Sequence, residues 1–395
     1  MISVDEAVLR IASAFTPLEA ETVPIGEACG RVLAADAMAA MDQPPSPVSS
    51  MDGYAVRAGD VTAPTSLHVI GAAPAGHPFP GTVGKNETVR IFTGGVVPNG
   101  ADAIVIQEDA EPNDENVLLK VAAISGRHIR AAGLDFKRGT ALAKKGHRLT
   151  ARDLSLLAAG DIAQVEVHRR PRIAFAATGD ELSRPGEPRK DGGIVASSGY
   201  GLAAMIETWG GTPVDLGILP DTAEALAGLA EKAKDADVIV TLGGASVGDH
   251  DLVKSALAPH GFVLDFWRIA MRPGKPLIFG KLGNTPLLGL PGNPVSTLVC
   301  ALLFLKPAIA AMQGTDTRTE LRSARLATDL AANDARQDYI RARLELRDGE
   351  LWAEPFKVQD SSMLSVFASA DALVLRMPHA PAATTGDRID IIVLD

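Results

Sequence analysis

Between Arg172 and Leu242 the chain alternates short apolar strands with helices. Arg172 to Thr178, Val214 to Leu219 and Val238 to Leu242 read as strands, and Ser198 to Trp209 and Thr222 to Lys234 as helices. Strands and helices alternating at this length join as right-handed βαβ units, and such units bury a parallel sheet between two helical layers. Ligands of these sheets lie beyond the carboxyl ends of the strands. Here those ends carry Thr178-Gly179-Asp180-Glu181, Pro220-Asp221 and Gly243-Gly244-Ala245-Ser246.

The stretch from Val238 to Leu298 adds an Arg272-Pro273-Gly274-Lys275 loop and a Pro291-Gly292-Asn293-Pro294 turn to that rim. Glycines at 243, 244 and 248 let backbone amides approach a phosphate at the start of a helix. Arg272 offers a planar fork and Lys275 a compact charge, a pair suited to a tetrahedral or phosphate anion. Asp251, with Glu181 and Asp221 on other strand ends, supplies the hard oxygens that Mg²⁺ takes in small number beside phosphate. Helix capping explains Asp249 equally well. Ser296 and Thr297 either cap the helix that follows or face a ligand. Gly244-x-Ser246-x-Gly248 also matches the nucleophile elbow of serine hydrolases. Asp249 and Asp251 crowd that serine, however, and no HGGG-type segment precedes it, so a phosphate-cradling turn is the preferred reading.

A chain of 395 residues, 46% hydrophobic, outgrows a single core. Its net charge of −10 argues against nucleic acid or an anionic membrane as partner. Cys29 and Cys300 form no disulfide framework or thiolate cage, and a cytoplasmic location is expected. The N-terminus reads as a helix, with Ser3-x-x-Glu6 as capping box and Val4, Val8, Ile11 and Phe15 on one face. The longest apolar run, Val295 to Leu305, falls short of the ~20 residues of a membrane span.

Residues 1–20 are expected to pack on the α/β domain, 21–45 with 140–170 to form a connecting domain, and 46–139 a mostly β domain. Residues 171–315 then form the α/β domain, and 316–395 an all-β domain whose Asp348-Gly349 marks a hairpin. Thr150 is the expected N-cap of a helix running to Ala159. Met51-Asp52-Gly53-Tyr54 and Thr93-Gly94-Gly95 have the composition of exposed turns.

In order, the chain carries MDGYAVR, IFTGG, GADAIV, TGDEL, GGASVGDHD, MRPGKPLIFG and LGLPGNPVS. At these separations the set resembles the molybdenum-insertase family (molybdopterin molybdenumtransferase, MoeA-like, including the E domain of gephyrin), across essentially the full chain. The resemblance implies a four-domain elongated homodimer with a molybdopterin-adenylyltransferase-like α/β domain and a β-barrel-like C-terminus. It further implies Mg²⁺-dependent hydrolysis of adenylylated molybdopterin, insertion of molybdate into the dithiolene and release of AMP. Asp52, Thr93, Arg130, Asp135, Glu181, Asp221, Asp251, Arg272, Lys275, Pro291 and Pro294 fall on functional positions of the family. Ser361 and one of Arg336 or Arg341 match its molybdate contacts more loosely.

This chain departs from the family in having Arg272 where many members have lysine, and Ala196-Ser197-Ser198-Gly199 in place of an Asp-Thr-Asn or Asp-Ser-Asn segment. Asp52 and Thr93 lie in the separate β domain, so they are expected to reach the site from the second subunit. Implied partners are a molybdopterin adenylyltransferase that hands over substrate and enzymes that accept the cofactor. A molybdopterin adenylyltransferase and a non-enzymatic scaffold of the same fold are the alternative functions.

Overall fold

The computed structural model describes residues 1–220, 222, 224–225, 228–244 and 257–394. The chain forms two compact units, one of Thr22–Cys29 and Ala35–Val167, the other of Met1–Glu21, Gly30–Ala34 and His168–Asp395.

The first helix, α1 (Val4–Ser13), belongs to the larger unit. Ser3 Oγ accepts from the Glu6 N–H at 3.1 Å, while the Glu6 carboxylate turns to Arg10 at 3.5 Å. The serine half of the expected capping box therefore forms. Val4, Ala7 and Ile11 are buried against the core of the α/β domain, with Val8 and Phe15 at its margin.

In the smaller unit, β1 (Gly53–Val56), β2 (Thr65–Ala73), β3 (Glu87–Ile91), β4 (Ala103–Ile106), β5 (Ala110–Asn113) and β6 (Asn116–Leu119) make one sheet. Its order is β4-β1-β3-β2-β6-β5. The turn expected at Met51 to Tyr54 is corrected here: Gly53 and Tyr54 begin a strand whose four residues are all buried. Close strand approach requires the glycine, since a Cβ on Gly53 would lie 2.1 Å from the Val105 carbonyl oxygen. Helix α2 (Ala151–Ala159) starts on Thr150 as expected, in a full capping box with Asp153.

In the larger unit, β7 (Arg172–Thr178), α3 (Ser198–Thr208), β8 (Thr212–Leu219) and β9 (Val238–Leu242) follow the anticipated alternation. The helix expected from Thr222 to Lys234 is described as a helix at Leu229–Lys232, and residues 221, 223, 226 and 227 lie outside the described residues. Strands β10 (Phe262–Arg268), β11 (Pro276–Leu282) and β12 (Thr285–Leu290) complete a sheet of order β8-β7-β9-β12-β11-β10. The first four strands are parallel, and β11 and β10 run antiparallel to their neighbours. The sheet is thus mixed rather than wholly parallel, because the links between β10, β11 and β12 are too short to hold a crossover helix.

Helix α4 (Pro294–Cys300) continues through a π-helical turn, Ala301–Leu305, into α5 (Lys306–Met312). These 19 residues have a mean hydropathy of 2.0, yet 83% of the apolar window is buried inside the protein. It is the core helix of the α/β domain, packed with β7, β9 and β12.

The C-terminal strands β13 (Arg322–Leu326), β14 (Gln337–Arg347), β15 (Glu350–Pro355), β16 (Ala372–Arg376) and β17 (Arg388–Val393) pair as β14-β15-β13-β17-β16 and back to β14. They close a five-stranded barrel. Asp348 and Gly349, at φ 50° and 81°, form the expected two-residue turn between β14 and β15, a geometry that needs positive φ at both positions. Met271–Arg272 adds in parallel to β14 at Gln337–Asp338.

Candidate active site

Three backbone segments converge at the carboxyl ends of β7, β9 and β12. Gly243 follows the fully buried β9 at φ 99°, and its N–H donates to the Leu290 carbonyl at 3.1 Å. A Cβ on Gly243 would stand 2.9 Å from the Thr178 carbonyl oxygen, and one on Gly292 would stand 3.5 Å from Gly243 Cα. Glycine is required at 243, where the TGDEL and GGAS loops meet, while the PGNP loop approaches at ordinary contact distance. Gly244, at φ 71°, continues the bend. Ser246 and Asp251, in residues 245–256, and Asp221 lie outside the described residues, so the two aspartates expected to hold Mg²⁺ have no described position.

Of that carboxylate set only Glu181 is described. It is exposed and makes no ion pair among the described residues. Those residues contain no group of three or more His, Cys, Asp or Glu able to hold a metal. A lone carboxylate has the right donor chemistry for Mg²⁺ and too few oxygens to hold it alone.

The cations described on this side are three arginines, two of them paired with carboxylates, and a lysine. Arg272 Nε donates to Asp338 Oδ1 at 2.9 Å and its Nη2 donates to Asp338 Oδ2, with Asp334 3.7 Å from Nη1. Arg336 is tied to the same Asp334, through a 2.6 Å contact to Oδ2 and from its own backbone N–H at 2.8 Å. These bonds to Arg336 hold the Asp334 carboxyl down to about 2. Arg272 and Arg336 are therefore already charge-compensated. Gly274 packs so tightly on α4 that a Cβ there would lie 2.3 Å from Cys300 Sγ. Lys275 follows it, exposed and free of ion pairs among the described residues.

Arg341, on β14, is 1% exposed. Its Nη2 donates to the Asp360 carbonyl at 3.1 Å, and its Nε has no partner. Burial lowers the pKa of the guanidinium, opposed by the charge of Asp360. Around it, Gln359 Oε1 accepts from the Arg341 N–H at 2.9 Å, and Gln359 Nε2 donates to the Arg341 carbonyl at 3.0 Å. Ser361 belongs to the same loop. Its Oγ accepts from Asn293 Nδ2 at 3.0 Å, and its carbonyl accepts from the Val295 N–H at 3.1 Å. Thr297 Oγ1 donates to the Pro291 carbonyl at 2.6 Å, which fixes the turn from Pro291 to Pro294, while Ser296 is buried in α4. The structure thus joins Pro291, Pro294, Ser361 and Arg341 into one neighbourhood.

The smaller unit has its own cluster. Asp52 Oδ1 accepts from the Thr93 N–H at 2.7 Å and the Thr93 hydroxyl at 2.9 Å. These two donors, with a smaller contribution from the charge of Arg90, lower the Asp52 pKa. Arg90 stacks on Tyr54 at 4.9 Å and on Phe92 at 5.1 Å, and donates to Gln107 Oε1 at 2.6 Å. Arg130 is exposed opposite Val48, and Asp135 is an exposed residue whose N–H donates to the Gln43 carbonyl at 2.9 Å. Sequence reasoning missed Asn293, Gln359, Asp338 and Arg90. Each acts by holding another polar group in place, and such a role leaves no spacing pattern in a sequence.

Residues 2–160 match the family described as MoeA N-terminal region (domain I and II). Residues 174–311 match the probable molybdopterin binding domain, and 323–394 the MoeA C-terminal region (domain IV). The molybdopterin molybdenumtransferase of Haemophilus influenzae is 32% identical over 99% of this chain and 98% of its own length. That of Nostoc sp. is 36% identical over 84% of this chain and 78% of its own. Two crystal structures of molybdopterin biosynthesis MoeA proteins from Pyrococcus horikoshii give TM-scores of 0.87 and 0.85 at 32% and 28% identity, covering all of this chain and 99% and 100% of theirs. The glycine-lined rim, the closed barrel beside it and the matches along the whole chain agree: this chain belongs to the molybdopterin molybdenumtransferase (MoeA) family.

Proposed function

We propose that the chain inserts molybdate into adenylylated molybdopterin, hydrolysing the adenylate and releasing AMP. The observation that carries this reading is Arg341, a buried cation with one carbonyl contact and an unpartnered Nε. An ionised group removed from water costs several kcal/mol unless a counter-charge offsets it. The charge of Asp360 offsets this only in part and Nε has no hydrogen-bond partner among the described residues, so an oxyanion is a fitting partner. Ser361 beside it adds a hydroxyl, and Lys275 an ammonium whose charge is not spent on a neighbouring carboxylate. Tetrahedral molybdate suits such a set of donors.

The glycines at 243, 244 and 292 would take the phosphates of the adenylate, where backbone N–H groups approach without side-chain obstruction. Glu181, with Asp221 and Asp251, would hold Mg²⁺, which when bound polarises phosphoryl oxygens and favours attack of water on phosphorus. Water adds to the phosphorus, the phosphoanhydride breaks and AMP leaves. The protein's own part is to fix the two anions side by side and to present charge where it develops. Asp52, held ionised by Thr93, is the group that would join from the second subunit of a homodimer.

The test is molybdate-dependent AMP release from adenylylated molybdopterin. Lys275→Met and Arg341→Met each abolish it if these cations hold molybdate, and unchanged release from both overturns the reading. Mixing the inactive Asp52→Asn and Arg341→Met chains adds a dimer test. Heterodimers then contain one intact site and restore roughly a quarter of the activity if the second subunit supplies Asp52, whereas no restoration rules out a shared site.

A further inference from the structure

Helix α4 begins in an unusual way. Asn293 occupies its N-cap position, where an asparagine ordinarily accepts a first-turn N–H, yet its side chain makes no such bond. Pro294 has no N–H to cap, and the Val295 N–H donates at 3.1 Å to the Ser361 carbonyl, in the loop after β15. The Asn293 amide instead donates through Nδ2 to Ser361 Oγ at 3.0 Å. Helix and loop thus hold each other through one residue. The Ser361 backbone caps the helix, and the residue at the cap position binds the Ser361 side chain.

That bond limits what the hydroxyl can offer. A serine oxygen carries one hydrogen and two lone pairs. Asn293 fills one lone pair with a donor, so the hydrogen cannot turn toward it, and Ser361 Oγ donates to no other group among the described residues. A lone pair could face a ligand only with that hydrogen turned away unmatched, and in a half-buried residue an unmade hydrogen bond is costly. The hydrogen is therefore what Ser361 presents.

The acceptors nearby are already matched. Gln359 Oε1 accepts the Arg341 N–H at 2.9 Å, and the Asp360 carbonyl accepts from Arg341 Nη2 at 3.1 Å. Asp360 Oδ1 accepts the Ser362 N–H at 2.8 Å and the Ser362 hydroxyl at 2.6 Å. Asp338 is engaged by Arg272 and Asp334 by Arg336. The two groups that stay unmatched, Arg341 Nε–H and Ser361 O–H, are both donors.

We infer that Asn293 is a specificity-determining residue: by keeping the Ser361 hydroxyl a donor, it makes the site favour fully deprotonated tetrahedral oxyanions and reject phosphate. Molybdate and sulfate carry no proton near neutral pH, whereas phosphate keeps at least one. An anion that brings its own O–H needs an acceptor, and a site made of donors leaves that group unpaired. The inference rests on the reading that Arg341 and Ser361 hold molybdate.

The experiment measures molybdate binding to the full chain by calorimetry near neutral pH, with sulfate and phosphate as competitors and thermal midpoints alongside. The parent is expected to bind sulfate at least tenfold more tightly than phosphate. Asn293→Leu frees the hydroxyl to rotate and should narrow that ratio about tenfold. Asn293→Asp remains a good N-cap residue and offers an acceptor to the Ser361 hydrogen, which turns a lone pair to the ligand. It should shift the ratio further toward phosphate, while its added charge weakens all three anions. In a Ser361→Ala background, Asn293→Leu should change nothing more, a coupling that a merely structural role would not produce. A ratio unchanged in both Asn293 variants, or the same shift with and without the Ser361 hydroxyl, overturns the inference. If molybdate binding falls with Arg341→Met while the ratio ignores Asn293, the specificity assignment alone falls. A parent chain that binds no molybdate overturns both this inference and the reading beneath it.

Discussion

Arg272 and Arg341 both border the barrel strand β14, and they differ in almost every physical respect. Arg272 is half-exposed and gripped at two points by Asp338. Arg341 is buried and nearly alone. Arg272 keeps half its side chain in water while neutralising the buried Asp338 carboxylate, so it supports the fold by satisfying that group. A buried arginine only partly offset, here by the charge of Asp360, opposes stability unless a ligand or the packing of its stem compensates. Charge count alone would rank the two together; their partners separate them.

The widest separation is expected from Arg341→Met. It should reduce molybdate retention and AMP release by about 100-fold or more while leaving the folding midpoint level or higher, because an apolar side chain of similar length removes a buried charge. A large fall in midpoint with molybdate binding intact would make Arg341 structural and dissolve the contrast. Lys275→Met, at an exposed position, should cost about tenfold or more in molybdate affinity with no change in stability, read by calorimetry and thermal melting together. Arg272→Met should show the reverse pattern, losing roughly 1–3 kcal/mol in chemical denaturation because the buried Asp338 carboxylate is left without its cation, and keeping activity within a few-fold. If its activity instead collapses, Arg272 leaves Asp338 when the ligand binds.

The smallest effect concerns pH. Asp334 has a folded pKa near 2 against an ordinary 3.8, mainly through Arg336. The folded value is depressed, so its contribution is fully present above about pH 4 and disappears as pH falls toward 2. An Asp334→Asn chain should therefore lose the part of the acid dependence of unfolding that lies in that window and match the parent's behaviour above it.

The alternation from β7 to β9 was legible because buried strands and helices differ in length and composition. The Thr150 cap and the Asp348-Gly349 turn were legible because their backbone chemistry is local. Strand β1 was not, since Met51 to Tyr54 has a turn's composition and becomes a strand only through pairing with β3 and β4 on either side. The mixed sheet escaped notice for a similar reason, as strand direction depends on connection lengths more than on residue type. At the site, the glycines and cations were visible as motifs. The different settings of Arg336 and Arg341 were not, because they depend on Asp334, a carboxylate two residues from Arg336 that pairs with it, and on the burial that the barrel imposes on Arg341.

The pairing of Met271–Arg272 with β14 bears on how separable the parts of this chain are. The family matches end at residue 311 and resume at 323, which invites a cut between them. Such a cut would strip Met271–Arg272 of its neighbouring strand, release Asp338 from its cation and take away the Ser361 loop that receives Asn293 and Val295. Expressed alone, the α/β piece would expose backbone donors and acceptors open to strand addition by another chain, and it would lack Arg341 altogether. The linker is a boundary in sequence, while strand pairing and hydrogen bonds run across it.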